Sequence, residues 1–275
     1  IVTVASLGGA SAGGSSSAAP STAAEIDHVV DPSEPIERAE RLRPAPRRVV
    51  IIGDSAAAGM RWNGALGGLQ GFYLDHRLES CRRLFSRNSW RGREGRRPPT
   101  VYAELRDHVP NAGPRDVLVV ATGYNDWHEA FPTDFGAVMQ MASWRGFRTV
   151  AWLTYRDDVT YELPSDVPED RSNYAFMNLH LNMRQASGEY PALQIWDLDR
   201  YTEGTVGWFG SDGVHQRPLG SWGVADWISR HVAHLDGLPC PKPWRPGSPL
   251  EQACTDPDPL PPFFGHPDII GLYFS

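Results

Sequence analysis

The chain has 275 residues, 41% of them hydrophobic and 21% charged, and 26 Lys and Arg against 33 Asp and Glu give it a formal charge of −7. That mix excludes collagen-like, coiled-coil and wholly disordered readings, and the length suits one α/β domain of roughly 200 residues plus tails. The acidic balance argues against a nucleic-acid binder, which needs a basic field to engage phosphates.

In chain order, residues 1–46 come first, and 17 of the first 24 are Ala, Ser or Gly. Such a stretch buries too little apolar surface to offset its ordering entropy, so a flexible tether is expected. Its mildly apolar opening, Ile1 to Leu7, fits the remnant of a signal peptide or anchor, or an ordinary linker. No apolar run of about 18 residues occurs, so the sequence predicts no membrane span.

Residues 47–236 read as the folded domain. Arg48 to Gly53 (RVVIIG) is a short run of β-branched residues ending in Gly, which predicts a buried parallel strand. Asp116 to Ala121, Arg148 to Leu153 and Leu193 to Leu198 have the same character, and a weaker strand is expected near Leu78 to Leu84. Helical patterns lie between them, at Ala56 to Gln70, Thr100 to Val109, Asp134 to Arg145, Arg171 to Ser187 and Leu219 to Leu235. This alternation predicts a parallel sheet covered on both faces, with ligands beyond the carboxyl ends of its strands.

Three strand-end features stand out. Gly53-Asp54-Ser55 places a serine at a strand-to-helix turn, where it is either a nucleophile or the cap of the helix. Gly123-Tyr124-Asn125-Asp126 follows the strand ending at Ala121 and offers the Asn125 amide as a donor at the same sheet edge, though the composition also suits a plain turn. Asp212-Gly213-Val214-His215 precedes the last helix, and an Asp three residues before a His can orient an imidazole toward a nucleophile. Read together, in this order, the three form a serine-hydrolase constellation.

These blocks resemble those of the SGNH/GDSL hydrolase superfamily, from Arg48 to about Leu235, and Cys81-Arg82-Arg83-Leu84 and Trp152-Leu153-Thr154 resemble secreted actinobacterial members. The family has Gly-Asp-Ser-Leu where this chain has Gly-Asp-Ser-Ala, and Ser89-Trp90 stand where a second Cys often follows the first. The resemblance implies a three-layer α/β/α sandwich with a five-stranded parallel flavodoxin-like sheet. It also implies Ser55 as nucleophile, His215 as base and Asp212 as its orienter. The oxyanion would be held by the N–H of Ser55, the Asn125 amide and a glycine after the second strand, Gly95, with Gly92 as competitor. Tyr124, Trp127 and Trp208 are candidate substrate contacts, although aromatic residues are more often core. No metal or organic cofactor is expected.

The expected activity is hydrolysis of a carboxylic ester, with an acetyl or short acyl group carried by a small molecule or a glycan. Alternatives are an O-acyltransferase of a cell-envelope system and a non-catalytic envelope-binding domain. A monomer outside the cell is expected. Residues 237–275 form a Pro-rich tail in which Cys240 and Cys254 suit a disulfide staple, leaving Cys81 as a buried, inert thiol. Arg82 to Arg97 holds seven arginines against one Glu, read as a solvated basic loop with an anion-attracting site as the other possibility.

Overall fold

The computed structural model describes residues 47–86, 90–157, 173–205 and 207–238. The expected tether, the Pro-rich tail and the Cys240–Cys254 bridge lie outside the described residues.

Five strands make one parallel sheet: β1 Arg48–Gly53, β2 Tyr73–Leu78, β3 Val117–Ala121, β4 Thr149–Leu153 and β5 Leu193–Trp196, in the order β2-β1-β3-β4-β5. This is the flavodoxin-like order, and its direction reverses between β1 and β3, where open α/β sheets form a crevice at the strands' carboxyl ends. The helices are α1 Ser55–Trp62, α2 Val101–Asp107, α3 Phe131–Trp144, α4 Tyr174–Ser187, α5 Leu198–Thr202 and α6 Pro218–Leu235.

Side chains alternate across a strand, and here both faces are apolar. Val49, Ile51, Val117 and Val119 enter one core with Met60 of α1 and Val224, Trp227 and Ile228 of α6. Val50, Ile52, Leu118 and Val120 enter the other, with Leu105 of α2, Phe135 and Val138 of α3 and Met177 of α4. The three-layer sandwich follows directly from these two cores.

Two expected boundaries shift. The second strand is Tyr73–Leu78, not Leu78 to Leu84: it is an edge strand whose Asp75, His76 and Arg77 break the apolar run, while Leu84 is a loop residue sunk into the second core. The helix expected to reach Gln70 stops at Trp62, because Gly64 adopts φ +71° and a separate 3-10 turn follows at Ala65–Gly68. The short α5 begins at Leu198, the last residue of the expected strand Leu193 to Leu198. Among the described residues no helix is long and apolar enough to cross a membrane.

Candidate active site

The end of β1 sets the first part of the site. Gly53 is packed so tightly that a Cβ would stand 2.6 Å from Ala57 Cβ and 2.8 Å from Leu78 Cδ2. Asp54, fully buried, is the N-cap of α1: its Oδ1 accepts the Ala56 N–H at 3.0 Å. The capping role therefore belongs to Asp54, and Ser55 stands at the first helical position, half-buried, with its hydroxyl outside the helix's own bonding. Asp54 Oδ2 also accepts the N–H groups of Gly123 (3.1 Å) and Tyr124 (3.2 Å), tying the turn after β1 to the turn after β3. Burial pushes this carboxyl up to about 6 against those three amides.

The turn after β3 repeats the device. Asp126, fully buried, accepts the Leu84 N–H at 3.1 Å and faces Arg83 Nε at 3.4 Å, so it holds the chain that leaves β2. Burial drives it up to about 7, opposed by Arg83 and the Leu84 amide and reinforced by the charges of Asp134 and Asp54. Asn125 Nδ2 donates to Arg82 O at 3.1 Å, which fixes the amide plane at the mouth of the crevice and leaves its second hydrogen for a ligand. Gly123 is required by contact: a Cβ there would overlap the Tyr155 hydroxyl, which donates to Thr122 O at 2.9 Å.

The third part comes from the turn before α6. Phe209 pairs antiparallel with Gln216, and Gly210 N–H donates to His215 O at 2.8 Å, closing a tight loop. Asp212 Oδ1 accepts the N–H groups of Val214 and His215, both at 3.0 Å, while Oδ2 lies 2.5 Å from His215 Nδ1. Burial alone would raise Asp212, but the imidazole and the two amides outweigh it and hold the carboxyl below its ordinary value. His215 Nε2 lies 2.9 Å from Ser55 Oγ, joining residues 160 positions apart. Ser55, His215 and Asp212 thus form one hydrogen-bonded chain, and Asn125 lies on the turn after β3 that Asp54 ties to the turn carrying Ser55.

Gly95 does not offer the amide expected of it. Its N–H donates to Gly92 O at 2.9 Å, and the N–H of Gly92 donates to Arg96 O at 2.9 Å. Both glycines instead shape the loop: Gly95 has φ +76°, and a Cβ on Gly92 would stand 2.6 Å from Ser80 Oγ. That loop clamps Ser80, whose N–H and hydroxyl donate to Glu94 Oε2 at 3.2 and 2.6 Å, while Arg61 of α1 pairs with Oε1. The left-handed residue just after β2 is Cys81, with φ +60°, the sole non-glycine with positive φ among the described residues. It is half-buried, and burial together with the charges of Glu94 and Asp54 pushes its thiol up, consistent with an inert sulfur.

The aromatic candidates divide. Trp208 is only 3% exposed and packs on Gly220 and Gly223 of α6, where a side chain would overlap its carbonyl and its ring respectively, so it is core and not a substrate contact. Tyr124 packs edge-on against Tyr155 and Tyr174, with ring centroids 5.3 and 4.9 Å away, and its hydroxyl accepts the Arg156 N–H at 2.8 Å. It serves as wall rather than stacking platform. Trp127 remains half-buried on the loop after β3. The basic segment is not a solvated loop throughout: Arg82 is 1% exposed and bonds Pro99 O at 2.7 Å and Glu104 at 3.2 Å, Arg83 faces Asp126, and Arg93 lies over Trp62 at 4.7 Å. Among the described residues no group of His, Cys, Asp and Glu could hold a metal ion.

No family model matches the sequence, and no curated protein matches it. Solved structures do match. A carbohydrate acetylesterase from Sinorhizobium meliloti aligns with TM-score 0.52 at 15% identity, over 69% of this chain and 99% of that one. The inhibitor-bound aryl esterase of M. smegmatis aligns with TM-score 0.50 at 12% identity, over 66% of this chain and 98% of that one. At such identities the likeness is one of fold, and with the strand order and layers described above it completes the assignment: the chain has the fold of the SGNH hydrolases.

Proposed function

We propose that the protein is a serine esterase that cleaves a carboxylic ester bearing an acetyl or other short acyl group. The observation that carries this reading is the continuous chain Ser55 Oγ–His215 Nε2 at 2.9 Å and His215 Nδ1–Asp212 at 2.5 Å. In the first half-reaction Ser55 Oγ bonds the carbonyl carbon and gives its proton to His215 Nε2. Asp212 holds the imidazole in the required orientation and stabilises its cation. The Asn125 amide and the N–H of Ser55 stabilise the tetrahedral oxyanion, with the N–H of Cys81 as the third donor in place of Gly95; one such donor matters by roughly a hundredfold or more. The carbon–oxygen bond to the alcohol then breaks, and the alcohol leaves with the proton from His215. In the second half-reaction water attacks the acyl-Ser55 carbonyl, gives its proton to His215, and the acid departs as Ser55 Oγ recovers that proton.

The short-acyl preference follows the carbohydrate acetylesterase from Sinorhizobium meliloti whose fold this chain shares. A small hollow lined by Ala56, Tyr124, Leu153, Phe209 and Val214 includes the chain neighbours of Ser55 and His215. The alcohol is a small hydroxyl compound or a sugar. Export is part of the same reading, supported by the Ala/Ser/Gly-rich start and by Cys240 and Cys254.

The test is hydrolysis of short-chain chromogenic esters by the wild type and by Ser55→Ala, together with fluorophosphonate labelling and peptide mapping. Activity and label on Ser55, both lost in the variant, are expected. Label without hydrolysis, with acyl transfer to a carbohydrate acceptor, would replace the esterase by a transferase, and the absence of hydrolysis, label and transfer would leave a binding domain.

A further inference from the structure

Arg156 follows β4 and reaches the turn that carries His215. Its side chain is buried, the whole residue being 8% exposed, and it makes two contacts with that turn. Nη1 donates to Gly213 O at 3.0 Å, and the guanidinium carbon lies 4.1 Å from the centre of the Phe209 ring. Gly213 sits at the tip of the turn, between Asp212 and Val214, while Phe209 pairs with Gln216 at its base. One cation therefore grips the tip by hydrogen bond and the base by its attraction to a ring face. At its other end the backbone N–H of Arg156 donates to Tyr124 Oη at 2.8 Å, and the Tyr124 N–H donates to Asp54 beside Ser55. A continuous set of bonds thus joins the serine side of the site to the histidine side through Arg156.

The imidazole needs such a brace. The His215 side chain is 47% exposed, and besides Arg156 the turn is tied to distant chain by Asn63 Nδ2, which donates to Gln216 O at 3.1 Å; an exposed turn with few such ties opens locally at little cost. Resting on the hydrolase reading, the geometry points to Arg156 as a positioning residue that holds the Asp212–His215 turn at hydrogen-bond reach of Ser55. Nucleophile and base must stay within a narrow range of separation, and a displacement of about 1 Å can cost on the order of a hundredfold in rate.

The experiment compares Arg156→Gln, Arg156→Lys, Phe209→Leu and the Arg156→Gln/Phe209→Leu pair with the wild type. Arg156→Gln is expected to lower kcat about 30- to 100-fold with KM within about threefold, because ester binding is left in place while the base is not. Arg156→Lys keeps a donor for Gly213 O and recovers part of kcat. The double variant is no worse than Arg156→Gln alone, since both changes release the same turn. A second readout needs no substrate: in protein with ¹⁵N-labelled histidine, the proton shared by His215 Nδ1 and Asp212 gives a sharp downfield resonance in the wild type that broadens in Arg156→Gln. Phe209→Leu carries the same tests should Arg156→Gln fail to fold. Lowered thermal stability with unchanged kcat and an unchanged imidazole resonance would overturn the inference. If the wild type hydrolyses no ester, the hydrolase reading falls and the resonance alone decides whether Arg156 positions His215.

Discussion

Asp54 and Asp212 are aspartates of neighbouring function in opposite surroundings. Asp54 is sealed under the turn after β1, satisfied by three backbone amides, and driven up to about 6 by burial. Asp212 lies on a half-open turn, and its bonds to His215 and Val214 hold it below its ordinary value. The sealed carboxylate organises main chain and the half-open one organises a side chain. Loss of the first should therefore be read in stability, and loss of the second in rate.

The largest effect expected is on rate. Asp212→Asn leaves the turn nearly isosteric but no longer favours the required imidazole tautomer and cation, so kcat on a short-chain ester should fall by roughly 10⁴-fold with a melting temperature close to the wild type. A loss below tenfold would mean that the bond to His215 carries no catalytic weight, and the contrast with Asp54 would collapse.

The matching change on the sealed side is Asp54→Ala. It strands the buried N–H groups of Gly123, Tyr124 and Ala56, each costing about 1–3 kcal/mol, so a loss of about 4 kcal/mol is expected. At about 2–4 °C per kcal/mol for a domain of this size, the melting temperature should drop by roughly 8–16 °C. A shift under about 2 °C would show that water replaces the carboxylate at no cost.

The two carboxylates also predict opposite pH slopes. Asp54 has a folded value of about 6 against an ordinary 3.8, so the folded state binds more protons between those values and stability falls as pH rises through that window. Two units correspond to about 3 kcal/mol, so the stability of the wild type relative to Asp54→Asn should decline by that order between pH 4 and pH 6.5 in urea titrations. Asp212 is lowered, so its contribution is present above the ordinary carboxylate range and is lost as pH falls below it. A wild-type minus Asp54→Asn difference that is flat or rising with pH would remove the physical basis of the comparison.

The same contrast explains what could be read before the structure. Val49 to Ile52 and Val117 to Val120 are buried on both faces, so unbroken apolar runs rich in β-branched residues marked β1 and β3 to within a residue. Their following turns carry Ser55 and Asn125 because chemistry at the switch point depends on position in the chain, which a motif records. Edge strand β2 was displaced because only its C-terminal Leu78 is buried and the rest alternates weakly with polar residues. Gly95 and Trp208 were misjudged for a different reason: the Gly95 amide is turned inward by a bond to Gly92 O within its own loop, and the indole is covered where Gly223 of α6 leaves room for it. Asp54 and Asp126 lay inside the motifs, yet the bonds that give them their work run to residues up to 70 positions away.

The smallest effect concerns the loop that both regions share. Cys81 holds φ +60° without being glycine, a conformation that costs an L-residue roughly 1–2 kcal/mol. Cys81→Gly relieves that strain but also frees the unfolded chain, which costs up to about 1 kcal/mol, so a net gain of a few tenths to 1 kcal/mol is expected. Cys81→Val adds a β-branched side chain to the left-handed backbone and should destabilise by more than that. If the N–H of this residue is the third oxyanion donor, as proposed, Cys81→Gly should keep kcat within about threefold, whereas Cys81→Val, by tilting the peptide, should lose tenfold or more with Asp54 and Asp212 untouched. Equal kcat in both variants would place the oxyanion donor elsewhere on the loop and confine Cys81 to a role in folding.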